Sequence, residues 1–352
     1  MTRGERLVGL VGEQELDQLF VSDLTNVRYL TGFTGTNGAC LLGGDELIFF
    51  TDFRYTERAE QEVSPEWERP EAERELVPQI VRRMHGRVGF EDSKLSVRQL
   101  ARLEAAAEEG VELLPAGDLV ERLRAVKEPD EVERIAAAAE LTDGVYEWVL
   151  ERGLVGHTER DVARACEARL RELGAEPSFP PIVATAANGA LPHAEPGEAE
   201  IGPGELVVFD MGALLDGYCS DCTRTFATGE LGDEEREAYE LVRRAQATAL
   251  EAVRPAASGK EVDAVAREII SEAGQGDRFG HGLGHGVGLE VHEAPRLSTT
   301  SEDELQTGNV VTVEPGVYLP GRFGVRIEDL VVVSAEGYGN LSGLGKDLRV
   351  VA

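Results

Sequence analysis

The chain has 352 residues, 42% of them hydrophobic and 29% charged, the balance of a globular protein with room for two domains of roughly 100–200 residues each. Its 35 Lys and Arg against 66 Asp and Glu leave a formal charge of −31, which repels phosphate backbones and anionic lipid, so neither nucleic acid nor a membrane is an expected partner. No apolar run approaches the ~20 residues of a membrane span, and the opening MTRGERLVGLVGEQELDQLF lacks the apolar core of a secretory signal, so the expected location is the cytoplasm.

In chain order, Ala39–Leu42 and Leu47–Phe50 read as strands, and TDFRYTERAEQE reads as the turn into a helix, with Asp52, Arg54 and Tyr55 expected to cap element ends. Short strands alternating with helices predict a small α/β domain. The sequence changes character at RLRAVKEPD, where Pro129 suits the first turn of a helix continuing through EVERIAAAAELTDGVYEWVLERG. The predicted domains are therefore 1–125 and 126–352. Cys40, Cys166, Cys219 and Cys222 are too scattered for a disulfide framework; Cys219 and Cys222 lack the second pair of a zinc ribbon and the helix start of a redox motif, and read as small strand residues.

The second part contains an internal repeat. Thr158-Glu159-Arg160-Asp161-Val162 and Ser258-Gly259-Lys260-Glu261-Val262 both resemble capping boxes, and the helix patterns that follow run out at Gly174 and Gly274. Downstream, His193 in PHAEP matches His292 in VHEAP, and GELVVFDMG with Asp210 matches GNVVTVEPG with Glu314. Four matches in one order predict a duplicated α+β unit whose halves bring their acids together across a pseudo-two-fold axis.

Asp210 directly follows the apolar run Leu206–Phe209, and a buried acid needs a partner. Asp216-Gly217 is a strong hairpin dipeptide; with these as the turn, Leu215 pairs with Tyr218 and Asp221 lies opposite Gly212, one diagonal step of ~7–8 Å from Asp210 on the same face. In the second half Val310–Val313 leads to Glu314, and alternation along GVRIEDLVVV puts Arg326 and Glu328 on one face. Four carboxylates in a dry site repel unless cations neutralise them, and two divalent ions balance the charge. The segment FGHGLGHGVGLEVHE offers His281, His285 and His292. His281 and His285 have the spacing of a zincin helix, but the intervening glycines oppose a helix and no Glu follows His281, so a loop or strand edge is expected with one imidazole on the metal. Carboxylate oxygen with a single imidazole suits Mn²⁺ first, then Co²⁺, Zn²⁺ or Fe²⁺.

Over nearly the whole chain these blocks resemble the metallopeptidases of the pita-bread fold, the group that holds Xaa-Pro aminopeptidase, prolidase, methionyl aminopeptidase and creatinase. DMGALLDGYCSDCTRTF, HGLGHGVGLEVHE, TVEPGVY and GVRIEDLVVV match in order and spacing, while YLTGFTGTNG and FFTDFRYTERA resemble the creatinase-like amino-terminal domain. The fold class implied is α+β: an amino-terminal α/β domain followed by a duplicated, pseudo-two-fold catalytic domain. The resemblance implies a di-metal site of Asp210, Asp221, His285, Glu314 and Glu328, with His193, His281 and His292 facing the substrate. It further implies that Glu314 handles the proton, that His193 and His292 stabilise the transition state, and that Arg326 orients Glu328.

The activity implied is hydrolysis of the bond before a proline at the second position, as an Xaa-Pro aminopeptidase, with an Xaa-Pro dipeptidase (prolidase) as the alternative. Creatinase has lost ligands that this chain keeps, and methionyl aminopeptidase lacks the first domain. A metal-free binding module of the same fold is the third reading; such relatives also lose ligands. The resemblance implies a homodimer in which the amino-terminal domain limits peptide length and performs no chemistry.

Overall fold

The computed structural model describes all 352 residues, Met1–Ala352, and separates into two compact units, Met1–Arg124 and Ala125–Ala352. The first unit is built on one five-stranded sheet with spatial order β3-β2-β1-β4-β5, formed by β1 (Gln18–Val21), β2 (Gly38–Gly43), β3 (Glu46–Thr51), β4 (Arg87–Phe90) and β5 (Glu112–Pro115). β1, β4 and β5 run parallel, while β2 and β3 form an antiparallel hairpin against β1. Helices α1 (Arg3–Glu13), α2 (Leu24–Thr31), α3 (Thr56–Glu62), α4 (Leu76–Val81), α5 (Val97–Ala106) and α6 (Leu119–Ala125) complete it. Its core gathers Phe20, Leu41, Ile48, Phe50, Ile80, Val88 and Leu103. Asp52 accepts from the Arg54 N–H at 2.9 Å and binds the Arg54 guanidinium, so it caps the short turn before α3.

The second unit starts with α7 (Pro129–Leu150), where Pro129 occupies the first helical position and the Glu131 carboxylate accepts from the Glu128 N–H. α8 (Glu159–Glu172) follows, then β6 (Glu176–Pro177), β7 (Ile182–Thr185), β8 (Leu206–Met211), β9 (Ala213–Leu215), β10 (Tyr218–Cys219) and β11 (Cys222–Ala227). The second half has α9 (Asp233–Ala252), α10 (Gly259–Glu272), β12 (Gly284–Gly286), β13 (Glu293–Leu297), β14 (Val310–Val313), β15 (Gly316–Leu319), β16 (Phe323–Arg326), β17 (Asp329–Ser334) and β18 (Gly337–Asn340).

The halves repeat in three dimensions. In the first, antiparallel strands stand in the order β11-β8-β7 beside the helix pair α7 and α8; in the second, β17-β14-β12 stand beside α9 and α10. Each half buries its own apolar core, Phe209, Val183, Tyr146 and Leu170 in one and Val311, Val331, Val262 and Ile270 in the other. The helix starts differ in detail. Ser258 and Glu261 form a reciprocal box, whereas Thr158 accepts from the Asp161 N–H without an answering Glu at that position. Both helices end before a glycine with positive φ, 86° at Gly174 and 75° at Gly274. No helix is long and apolar enough to cross a membrane.

Candidate metal centre

Asp210 lies near the end of β8, buried on a strand that is buried throughout. The chain reverses at Asp216-Gly217 and returns with Leu215 opposite Tyr218, Met211 opposite Cys222 and Asp210 opposite Thr223. That register leaves Asp221, one residue before β11, facing Gly212. Side-chain bulk is impossible there: a Cβ on Gly212 would lie 1.9 Å from the Ser220 carbonyl oxygen. In the second half Val313 pairs with Asp329, so Glu314 and Glu328 sit just beyond the last rung of the β14–β17 ladder. The expected single strand through Gly324–Val333 is broken instead at Ile327-Glu328: β16 pairs with β15 and β17 with β14. The break turns Glu328 inward, and Arg326 and Glu328 still meet the same hydroxyl, that of Thr223.

The carboxylate oxygens of Asp210, Asp221 and Glu328 lie within 4.8 Å of one another, all buried. His285, in the middle of the three-residue strand β12, brings its Nε2 to 3.2 Å from Glu314 and 3.6 Å from Asp221. Its Nδ1 donates to the Gly286 carbonyl at 3.1 Å, so Nε2 is the nitrogen that faces the cluster: protonated, it donates to Glu314, and on giving up that proton it offers a lone pair. Two hydroxyls tie the set together, neither singled out by the sequence patterns. Thr312 accepts from the His285 N–H and donates to Glu314, and Thr223 accepts from Arg326 Nε and donates to Glu328 at 2.7 Å. Their only advance sign is their place in the alternation, a polar residue one step from each acid.

Arg326 is arranged differently from the sequence expectation. Its guanidinium binds Asp210 Oδ2 directly at 2.7 Å and reaches Glu328 only through Thr223, because the strand break turns Glu328 away. The same guanidinium donates to the Tyr318 hydroxyl at 2.9 Å and to the Pro192 carbonyl. Tyr318 in turn meets His281 Nε2 at 3.0 Å, while His281 Nδ1 donates to the Gly282 carbonyl. Tyr318 gave no signal in the sequence beyond standing in an apolar strand.

Burial, reinforced by the charge of its acidic neighbours, pushes Asp221 and Glu328 well above the usual carboxylate range, and raises Asp210 against the opposing charge of Arg326. Glu314 behaves oppositely. Burial would raise it, but the hydrogen bond and charge of His285 outweigh this and lower it to about 2. Burial, with His285 and Arg296 nearby, lowers His292 to about 4 and so keeps it neutral at pH 7.

Asp210, Asp221, His285 and Glu314 line a cavity of about 630 Å³, while Glu328 is buried and does not reach its surface. Phe179, Pro180, Pro181, Ile182 and Val291 supply apolar lining; His193, His281, His292 and Arg296 supply polar groups. The His292 ring packs edge-on against His285 with centroids 4.3 Å apart. Arg296, which the sequence reading passed over, has no ion-pair partner among the salt bridges of the chain.

Two features test whether these residues fit a divalent ion. Asp210 Oδ1 and Glu328 Oε1 are buried with no hydrogen-bond partner, a costly state for carboxylate oxygen. The donor set, carboxylate oxygens with one imidazole nitrogen, is also that of hard or borderline divalent cations. The residues fit the metal.

Comparison with known proteins agrees with this geometry. Residues 133–335 match the model of metallopeptidase family M24, and residues 3–126 match the creatinase/prolidase N-terminal domain. An Xaa-Pro dipeptidase of Pyrococcus furiosus is 36% identical over 349 residues, covering 98% of this chain and 99% of the relative. Among solved structures, the Xaa-Pro dipeptidase from Bacillus anthracis superimposes with a TM-score of 0.95 at 36% identity, covering 99% of both chains. The X-Pro aminopeptidase from Thermotoga maritima gives 0.90 at 33% identity, covering 99% of this chain and 100% of that one. With an acidic cluster built by a duplicated sheet, and a creatinase/prolidase N-terminal domain preceding it in sequence, the chain belongs to metallopeptidase family M24.

Proposed function

We propose that the protein is an Xaa-Pro dipeptidase that uses two divalent ions, Mn²⁺ first among them, held by Asp210, Asp221, His285, Glu314 and Glu328. The observation that carries this is the convergence of two acids from each half and one imidazole, of which Asp210, Asp221, Glu314 and His285 line a cavity with apolar walls. Those walls suit a proline ring, and the relatives named dipeptidase support the specificity. The order of the two Xaa-Pro readings reverses from the sequence expectation because Arg296 offers an unpaired cation at the cavity, the complement of the free carboxylate that ends a dipeptide.

When bound, such ions acidify water and polarise a carbonyl oxygen. The chain's residues do the rest. Glu314 accepts a proton and passes it to the imide nitrogen, which must be protonated to leave. His292, neutral at pH 7, and His193 donate hydrogen bonds to the developing oxyanion and the substrate carbonyl. His281 lines the substrate side, braced by Tyr318, and Arg326 fixes Asp210. The assembly that accompanies this reading is a cytoplasmic homodimer whose amino-terminal domain restricts peptide length.

The test is a Mn²⁺-loaded assay of Ala-Pro, Ala-Pro-amide, Ala-Pro-Ala and Met-Ala-Ser. Preference for Ala-Pro over its amide, abolished in Arg296→Ala, is expected. Equal cleavage of Ala-Pro-Ala would make the enzyme an aminopeptidase, and preference for Met-Ala-Ser would remove the proline specificity. Light scattering on the same sample gives the assembly.

A further inference from the structure

Outside the metal cluster, each half holds one buried acid that fastens a histidine-bearing loop, though the two acids are not equivalent in the repeat. Glu159, the first residue of α8, has no exposed surface. Its Oε1 accepts from the Thr185 N–H at 2.7 Å, and its Oε2 accepts from the Gly197 N–H and from Asn188 Nδ2, both at 2.8 Å. Thr185 ends β7 and Gly197 lies within the connection to β8, so the two bracket the segment 186–196 that carries His193. Asn188 also donates to the Glu195 carbonyl within that loop. One carboxylate therefore closes the loop at its neck.

The other half does the same with different atoms. Glu293 follows His292 directly; its Oε1 accepts from the Glu290 N–H at 3.0 Å and its Oε2 from Lys127 Nζ at 3.0 Å, with both side chains of the ion pair almost wholly buried. Gly288 packs so close that a Cβ there would lie 2.6 Å from Glu293 Oε2. Lys127 is itself fixed through its N–H on the Gly308 carbonyl. These bonds fasten the loop between β12 and β13, which carries His292.

His193 and His292 make no hydrogen bond through their own rings, so their placement depends on the backbone that carries them. We propose that Glu159 and the Lys127–Glu293 pair are positioning residues, one for each half, that hold His193 and His292 at the distance where they meet the substrate. This rests on the roles proposed above for the two histidines. A loop released at its neck moves by about an ångström or more, enough to cost roughly a hundredfold in rate when the displaced group acts on the transition state.

The test is a pair of mutant cycles on the Mn²⁺-loaded full chain. Glu159→Ala is expected to lower kcat about 10–100-fold, to keep the bound metal, and to speed amide exchange in residues 185–197. Its decisive partner is Glu159→Ala/His193→Ala, which should turn over no slower than His193→Ala alone, since a residue acting through His193 has nothing left to position. Lys127→Met/Glu293→Gln, which leaves no uncompensated charge, should behave likewise against His292→Ala. Should Glu159→Ala not fold, Glu159→Gln carries the same cycle with a smaller loss, because its single carbonyl oxygen replaces only part of the clasp. Wild-type kcat in the Glu159 and Lys127/Glu293 variants, or losses that multiply with those of the histidines, would overturn the proposal. A fully active His193→Ala or His292→Ala would instead refute the histidine's proposed role, separately from its clasp.

Discussion

Glu328→Gln should make the metal-free protein more stable while destroying its use for metal. The three clustered carboxylates lie within 4.8 Å of one another, and two unit charges at that distance repel by roughly 3 kcal/mol at an effective dielectric constant near 20. Burial and that repulsion raise Glu328 and Asp221 in the folded chain. A raised folded pKa contributes stability that is present in full below the unfolded value and is lost as pH rises, so the metal-free wild type should melt lower at pH 8 than at pH 5. The replacement amide keeps the size, can still accept from Thr223, and removes one charge. A gain of about 1–3 kcal/mol follows, or about 2–4 °C in melting temperature per kcal/mol for a unit of this size. Melting in chelator and in excess Mn²⁺ reads both effects. At a hundredfold its dissociation constant the ion should add about 2.7 kcal/mol to the wild type and little to the variant. A Glu328→Gln protein that melts no higher than wild type in chelator at pH 8, and still gains from Mn²⁺, would refute the reasoning.

His292→Ala should retain metal and lose most of its turnover; loss of metal, measured by elemental analysis, would mean that the ring is a ligand. Gly212→Ala places a methyl against the Ser220 carbonyl and the Ser178 hydroxyl, 1.9 and 2.2 Å away, and should cost about 1–3 kcal/mol or more while loosening metal binding, seen by denaturant titration and calorimetry. In the first unit, burial raises Glu91 to about 7 although Asn26 and the Ser22 and Asp23 N–H groups bond to it. Its contribution of roughly 3 kcal/mol should be present below pH ~4.3 and lost as pH rises through 7, and Glu91→Gln should flatten the pH dependence of unfolding over that window.

The repeat was legible because its acids, histidines and glycines recur in one order, and the Asp216-Gly217 turn fixed the register that sets Asp221 against Gly212. The break at Ile327-Glu328 was not legible, since GVRIEDLVVV alternates without a Gly or Pro to mark where one ladder ends and another begins. That break is why Arg326 pairs with Asp210 and not with Glu328. Thr223, Thr312 and Tyr318 escaped notice for a related reason: a hydroxyl inside an apolar strand looks like ordinary β-sheet composition until its neighbours across the sheet are known. Glu159 read as part of a helix cap, yet Thr158 alone does that work and the acid turns inward to the His193 loop. In the first unit β2 and β3 were plain as strands from the continuous apolar runs Ala39–Leu42 and Leu47–Phe50, while β1, β4 and β5, each of only four residues, gave too short a pattern to register.

The carboxylate cluster is proposed to hold the metal on which peptide hydrolysis depends. The most direct measurement strips the purified protein with chelator, titrates Mn²⁺ back calorimetrically, and follows Ala-Pro hydrolysis in the same samples for wild type and Asp210→Ala. Activity should be absent in the stripped wild type, return as two ions bind per chain, and stay absent in a folded Asp210→Ala protein that binds fewer. Hydrolysis by the stripped enzyme, or full metal-restored activity in Asp210→Ala, would contradict the account.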